Sequence, residues 1–361
     1  MAYVYFDAED IVSGNVVRGV TGTAFSNGSG SITVFHTSST QTASAAGNFQ
    51  WDIYNLNPTT NTTAETQFSV AYGHATGLGS AKRTGATAGL SPSRAIYSQF
   101  RQILLNDTAD TTRFIMGDNV SCDKMFFITM NRARYKQGMN ANNWELHLSS
   151  SHTSNVFGGT AGTPLKLIDD SSVSSGNTVN GHLVYNVVSG SDADGVYTDG
   201  SSDYHHWGLF YPQLGIIALN GNKIITGSGA VGSTTYGLDM GEAATLNYGT
   251  GSNADDSMND VIFTAIEDGK YFAARSEEDV SSTHYFVRAK NSQFNYSTNP
   301  TYQTGSNGQI KHSSFIQNPQ TFVTTVGLYS EQNELLAVAK LSKPLLKNFE
   351  RETTIRVKLD Y

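Results

Sequence analysis

Four aspartates, Asp192, Asp194, Asp199 and Asp203, fall at the first, third, eighth and twelfth positions of one short Gly-containing stretch. Carboxylates so spaced are what a hard cation such as calcium collects, because it binds through several oxygens at once. Val196 and Tyr197 break the calcium-loop pattern at its fifth and sixth positions, where an oxygen donor and a glycine belong. Asp and Gly also build turns by bonding to nearby backbone, and that is the role expected of these residues. No metal is predicted, and these four aspartates are the candidates that come nearest to one. Asp255, Asp256 and Asp260 form a second acidic stretch that reads the same way.

Other motifs lack the context their chemistry needs. Gly227 to Gly232 matches G-x-G-x-x-G after the apolar Lys223-Ile-Ile-Thr226. A dinucleotide site also requires a helix N-terminus at the pyrophosphate, and Ser233-Thr-Thr-Tyr-Gly237 is a poor helix start. No cofactor is expected. Ser121-Cys-Asp-Lys124 fits S-x-x-K but has no S-D-N or K-T-G partner, so it reads as a turn before a strand. Cys122 is expected to be a small buried side chain. His205 and His206 are adjacent, and adjacent residues on a strand point to opposite faces, so one ion cannot easily take both. There is no G-x-S-x-G, H-E-x-x-H or Walker loop. The chain is therefore not expected to be an enzyme. A glycan hydrolase would need two convergent carboxylates, which spacing alone does not reveal.

The elements that carry these residues read as strands. Ser31-Ile-Thr-Val-Phe35 and Asn48-Phe-Gln-Trp-Asp-Ile-Tyr54 alternate apolar and polar groups. Asn27-Gly28 marks a turn, and 57–63 and 80–90 read as polar loops. Strands are predicted at 125–131, 143–149, 165–168, 182–188, 207–211, 214–219 and 261–266, with Asn220-Gly221 as a tight turn. Tyr271 to Arg275 and His284 to Lys290 suggest a hairpin around the acidic tip Glu277-Glu278-Asp279. The C-terminal part is most regular, with strands at 321–329, 334–341 and 353–361 and a turn at Glu331 to Glu334. Ile355, Val357 and Leu359 alternate with Arg356, Lys358 and Asp360, one dry face and one wet. One prominent helix is predicted over 91–105. Ser91 is its N-cap, Pro92 its first residue, and Ile96, Phe100, Ile103 and Leu104 its apolar stripe.

These readings give a mainly β protein of several antiparallel, sandwich-like sheets, with the helix near 91–105 and long loops. The expected organisation is an N-terminal β region or arm over 1–60, a central β-rich domain over 61–300 and a C-terminal antiparallel module over 301–361. Composition agrees. Only 15% of the 361 residues are charged, against about 25% in ordinary domains, and there are 35 Gly, 18 Tyr, 18 Phe and one Cys. Polarity comes from Ser, Thr and Asn. That excludes coiled coils, disulfide frameworks and multi-Cys zinc sites. No uncharged apolar window is long enough for a membrane span, and Met1 to Asp7 lacks the features of a signal peptide.

Net charge is −8, made of 0 over 1–150, −12 over 151–280 and +4 over 281–361. The acidic middle argues against nucleic acid as a partner, because phosphates need Lys and Arg. The basic end suggests an acidic surface on a neighbour. Lys343, Lys347, Arg351, Arg356 and Lys358 are the candidate interface residues.

A series of strings points further. Phe68-Ser-Val-Ala-Tyr-Gly-His74 precedes Ser91-Pro-Ser-Arg-Ala-Ile-Tyr-Ser-Gln-Phe100. Asn131-Arg-Ala-Arg-Tyr135, Trp144-Glu-Leu-His-Leu148 and Gly208-Leu-Phe-Tyr-Pro-Gln-Leu-Gly-Ile-Ile217 follow. Phe294-Asn-Tyr-Ser-Thr-Asn-Pro300, Thr325-Val-Gly-Leu-Tyr329 and Leu335-Leu-Ala-Val-Ala-Lys-Leu-Ser-Lys-Pro344 complete it. The series, over roughly 68–361, resembles virion structural proteins of the tail and baseplate region of large contractile-tailed phages, cyanophages included. The resemblance implies a non-enzymatic tail component, baseplate-associated, made in the host cytoplasm and carried in the virion. Its partners would be other virion proteins and further copies of itself, as a homo-oligomer or ring subunit. Two other readings are a receptor- or carbohydrate-binding tail module, suggested by the aromatic and polar loop from Tyr197 to Trp207, and a neck, head-decoration or sheath-associated protein.

Overall fold

The computed structural model describes residues 4–14, 17–41, 49–80, 91–117, 119–149, 164–197, 206–226, 229–231, 234–236, 257–305 and 307–360. The chain divides into two compact units, Gly19–Glu278, and Met1–Arg18 with Asp279–Tyr361. As composition predicts, it is mainly β, with 43% strand and 14% helix in several antiparallel sheets.

The larger unit is built on a curled ten-strand half-barrel. In spatial order its strands are Ser31–Ile32, Phe272–Ala273, Glu145–Leu148, Leu165–Asp169, His182–Ser191, His206–Tyr211, Ile216–Asn220, Lys124–Met130, Thr66–His74 and Gln50–Tyr54. Every neighbouring pair is antiparallel. The centre reads as continuous apolar sequence because both faces are covered. Met125 and Phe127 point into one core with Tyr97 and Leu104 of α1 (Pro92–Leu105). Phe126, Ile128 and Met130 point into the other, which holds Met258, Ile262 and Ile266 of α3 (Ser257–Gly269). Ile216 and Ala218 repeat the first choice, Ile217 and Leu219 the second. Gly73 lets α1 settle on its strand, because a Cβ there would lie 3.0 Å from the backbone N of Tyr97.

The α1 boundaries follow the sequence, and so does most of its apolar stripe, since Leu104 is buried and Ile96 and Phe100 pack against the same core. Ser91 does not cap the helix. Its hydroxyl donates to the Gly77 carbonyl at 2.6 Å, and the Ser93 N–H is met instead by Ser80 Oγ at 3.1 Å. Ser93, Tyr97, Arg101 and Leu104 are the buried residues, and Ile103 is exposed. Tyr97 can be buried because its hydroxyl donates to the Cys122 carbonyl (2.6 Å) and accepts the Phe114 N–H (3.1 Å). Asn106, in the left-handed conformation, ends the helix as expected.

Three further expectations are corrected. Residues 261–266 are helix, not strand, because Met258, Ile262 and Ile266 repeat every four residues onto one core. Asn220-Gly221 is not a tight turn but the start of α2 (Gly221–Thr226), whose Asn222 and Lys223 N–H groups are accepted by Asn220 Oδ1 at 3.0 and 3.3 Å. The acidic stretch 277–279 is not a hairpin tip. It belongs to the Arg275–Val280 strand, which pairs Ser276 with Met139 and Glu277 with Gly138. Ser31 to Phe35 shortens to Ser31–Ile32. The 57–63 loop joins two paired strands of one unit, and 81–90 lies outside the described residues.

Two sheets of the smaller unit share one core, and a short ladder pairs Gln303–Thr304 with Gln309–Ile310. Ile11–Ser13, Ser282–Ala289 and Thr353–Asp360 form the first, and Thr321–Tyr329 with Leu335–Lys347 the second. The three C-terminal strands therefore do not form one sheet. Val326, Leu328 and Val357 are the buried centre of that core, with Phe6, Tyr285, Val287 and Ile355 among the residues packed around them.

Candidate interaction surface

The Thr321–Tyr329 and Leu335–Lys347 strands make a hairpin ribbon. Asn333 takes the left-handed conformation its turn requires, and the Ser330 N–H donates to the Glu334 carbonyl at 2.9 Å. The alternation of the strands divides the ribbon into faces. Val326, Leu328, Ala337 and Ala339 face the core. Leu336 and Val338 face away from it and are 68% and 60% exposed, and Tyr329, Leu335 and Phe322 are exposed as well. Among the described residues neither strand has a second strand partner. The result is an apolar face on a ribbon whose backbone edges are open.

The five basic candidates do not gather on it. Lys343 is exposed on the ribbon and Arg351 on the connection after it. Arg356 and Lys358 stand on the wet face of the Thr353–Asp360 strand, beside Phe286 and His284 of its neighbour. Lys358 pairs with Asp360 at 2.9 Å. Hydrogen bonds from Lys358 and Ser282 hold the Asp360 carboxyl below its ordinary range. Lys347 is not a surface residue, since its side chain is fully buried and its ammonium is held by carbonyl oxygens.

Asp192 and Asp194 form a turn rather than an ion cage. Asp194 Oδ2 accepts from the Ser191 and Tyr197 hydroxyls at 2.8 and 3.3 Å, and the Asp192 N–H donates to Glu145 Oε2 at 2.7 Å. Asp199, Asp203, Asp255, Asp256 and His205 lie outside the described residues. Among the described residues no three His, Cys, Asp or Glu side chains are placed to hold a metal. The described part of the Gly-rich motif, Gly229–Val231, is a strand paired with Thr234–Tyr236 and not a helix start. Cys122 is buried, as expected, and is in no disulfide. Trp207 is buried with its Nε1 donating to Ser189 Oγ at 2.8 Å, while its neighbour His206 is half-buried, as alternation predicts.

One cluster escaped the sequence reading. Glu145 and His147, alternate residues of one strand, meet through Oε1 and Nε2 at 2.5 Å, with the Tyr271 ring 4.7 Å from the imidazole. Burial pushes Glu145 up, but the hydrogen bonds from His147 and the Asp192 N–H outweigh it and hold the carboxyl below its ordinary range. The period of two was the signal that could have found this pair. Glu145 bonds both the imidazole and the 191–194 turn, so it ties two strands together.

Compared with family models, curated proteins and solved structures, the chain gives no match.

Proposed function

We propose that this chain is a non-enzymatic structural subunit of a phage virion tail, associated with the baseplate, acting by binding neighbouring subunits. The observation that carries the reading is the ribbon of the smaller unit, with Leu336 and Val338 turned outward and, among the described residues, no third strand paired to it. An apolar face of this kind marks a surface that another protein covers. The tail assignment rests on the strings between residues 68 and 361 that resemble tail-region virion proteins. Low charge supports it too, because Ser, Thr and Asn cost less to desolvate against a neighbour than Lys or Glu do.

The test is localisation. Antibodies raised against the purified chain are applied to particles of the phage that encodes it and viewed by electron microscopy. Label at the baseplate end of the tail is the expected result. Intact particles that contain no copy of the chain by mass spectrometry would sink the proposal.

A further inference from the structure

Lys347 closes the Leu335–Lys347 strand, and its side chain has no exposed surface. Its Nζ lies 2.9 Å from the Asn291 carbonyl, 3.0 Å from the Asn348 carbonyl and 3.0 Å from Asn295 Oδ1. All three are neutral amide oxygens, and among the described residues no carboxylate is within ion-pair distance of this ammonium. The three acceptors match the three N–H donors of an ammonium, but a charge buried without an anion is costly, so the neutral amine is easier to reach here than in an exposed lysine. Burial accordingly pulls Lys347 below an ordinary lysine. A desolvated neutral lysine is a nucleophile.

The group beside it is also pinned. Asn295 is buried, its Nδ2 donates to the Asn291 carbonyl at 2.7 Å, and the Tyr302 hydroxyl donates to its backbone carbonyl at 3.3 Å. Two reactants fixed in contact lose little entropy on reacting. The unit has reason for a covalent tie. Its apolar core centres on three buried residues, a small domain of that kind is ordinarily stapled, and the single Cys lies in the other unit.

We propose that Lys347 Nζ and Asn295 Cγ become joined by an isopeptide bond that the chain forms itself. Neutral Nζ attacks Cγ, the Nζ–Cγ bond forms, the Cγ–Nδ2 bond breaks, and Nδ2 leaves as ammonia carrying a proton from Nζ. No oxidant or co-reactant is needed. The bond would tie the segment after the Ser282–Ala289 strand to the end of the Leu335–Lys347 strand, so it staples one sheet of the unit to the other.

The experiment is intact mass measurement of the purified full chain after incubation at neutral pH, followed by tryptic mapping. The expected mass lies about 17 Da, one ammonia, below that of the sequence. Trypsin should release a branched species joining 291–311 to 341–351, uncleaved at Lys347. Lys347→Arg and Asn295→Ala should each restore the full mass. Asparagine alone can lose the same ammonia by cyclising. A deficit that survives Lys347→Arg, or a native chain of full mass with linear 291–311 peptide, would overturn the proposal.

Discussion

If the ribbon is a docking face, replacing both Leu336 and Val338 by aspartate should abolish incorporation while sparing the fold. Full burial of a Leu or Val side chain is worth about 1.5–3 kcal/mol. Leu336 is 68% exposed and Val338 60%, so most of each remains to be buried by a partner. That gives roughly 1–2 kcal/mol apiece, or about 2–4 kcal/mol together. The cost corresponds to a loss of affinity of roughly 30-fold to 1000-fold. Desolvating two unpaired carboxylates raises it further. In the free chain the same positions face water, and the cost should stay within about 1 kcal/mol per site, the range of strand propensity. The assay has two arms. Urea unfolding of the purified chain measures stability, and quantitative mass spectrometry of engineered phage measures copies per particle. Wild-type copy number with both aspartates present would refute the docking assignment, and a large fall in the urea midpoint would show that the face is structural.

Three predictions concern the fold itself. His74 Nδ1 accepts the Thr76 N–H at 3.1 Å, which needs a neutral ring, and burial lowers its pKa from 6.5 to about 4. The unfolded chain therefore takes up the proton first. Stability that is complete above pH 6.5 should fall by about 3 kcal/mol as pH drops toward 4, and His74→Gln should flatten that slope in urea titrations. Equal slopes for the two proteins would contradict this. Tyr97→Phe strands the buried Cys122 carbonyl and Phe114 N–H and should cost about 2–4 kcal/mol. A midpoint shift worth less than about 0.5 kcal/mol would mean that water replaces both bonds. At Gly208 a Cβ would stand 2.3 Å from the Ala218 carbonyl of the adjoining strand. Gly208→Ala should cost upwards of about 2 kcal/mol or leave the chain insoluble, and a variant of full stability would mean the pairing of Gly208 with Leu219 is wrong.

Strands were legible where one face is dry or both are. Ile355, Val357 and Leu359 alternate with charged groups, and 125–128 is apolar throughout, so each pattern carries its own burial. The stretch 261–266 misled because a short apolar run fits either a buried strand or a buried helix. Met258, one turn upstream, was the residue that decides between them. Side chains whose polarity is satisfied at a distance were the other failure. Arg101 is no part of an apolar stripe, yet it is buried, its guanidinium bonded to the carbonyls of Asp107 and Thr108 at 3.2 Å. Lys347 reads as a surface charge for the same reason, since its carbonyl partners at Asn291 and Asn295 are more than fifty residues away along the chain. The Glu145–His147 pair needed only the strand period, but its link to the 191–194 turn needed the fold.

The two strands of the ribbon differ in how they treat their open edges. Leu335–Lys347 carries Lys340, Lys343 and Pro344. Charge and proline are the usual means of preventing an edge from pairing with another chain. Thr321–Tyr329 carries neither. All nine of its residues are uncharged, and Phe322, Val323, Val326, Leu328 and Tyr329 are strong strand formers. An unguarded edge of that composition is a hazard in a free monomer. Guarding one edge and leaving the other open makes sense if the open edge is occupied in the working assembly. The same asymmetry gives the low overall charge a local meaning. Lysine is kept at the edge that must not pair, and uncharged Thr and Gly occupy the edge where a neighbour would have to strip away water.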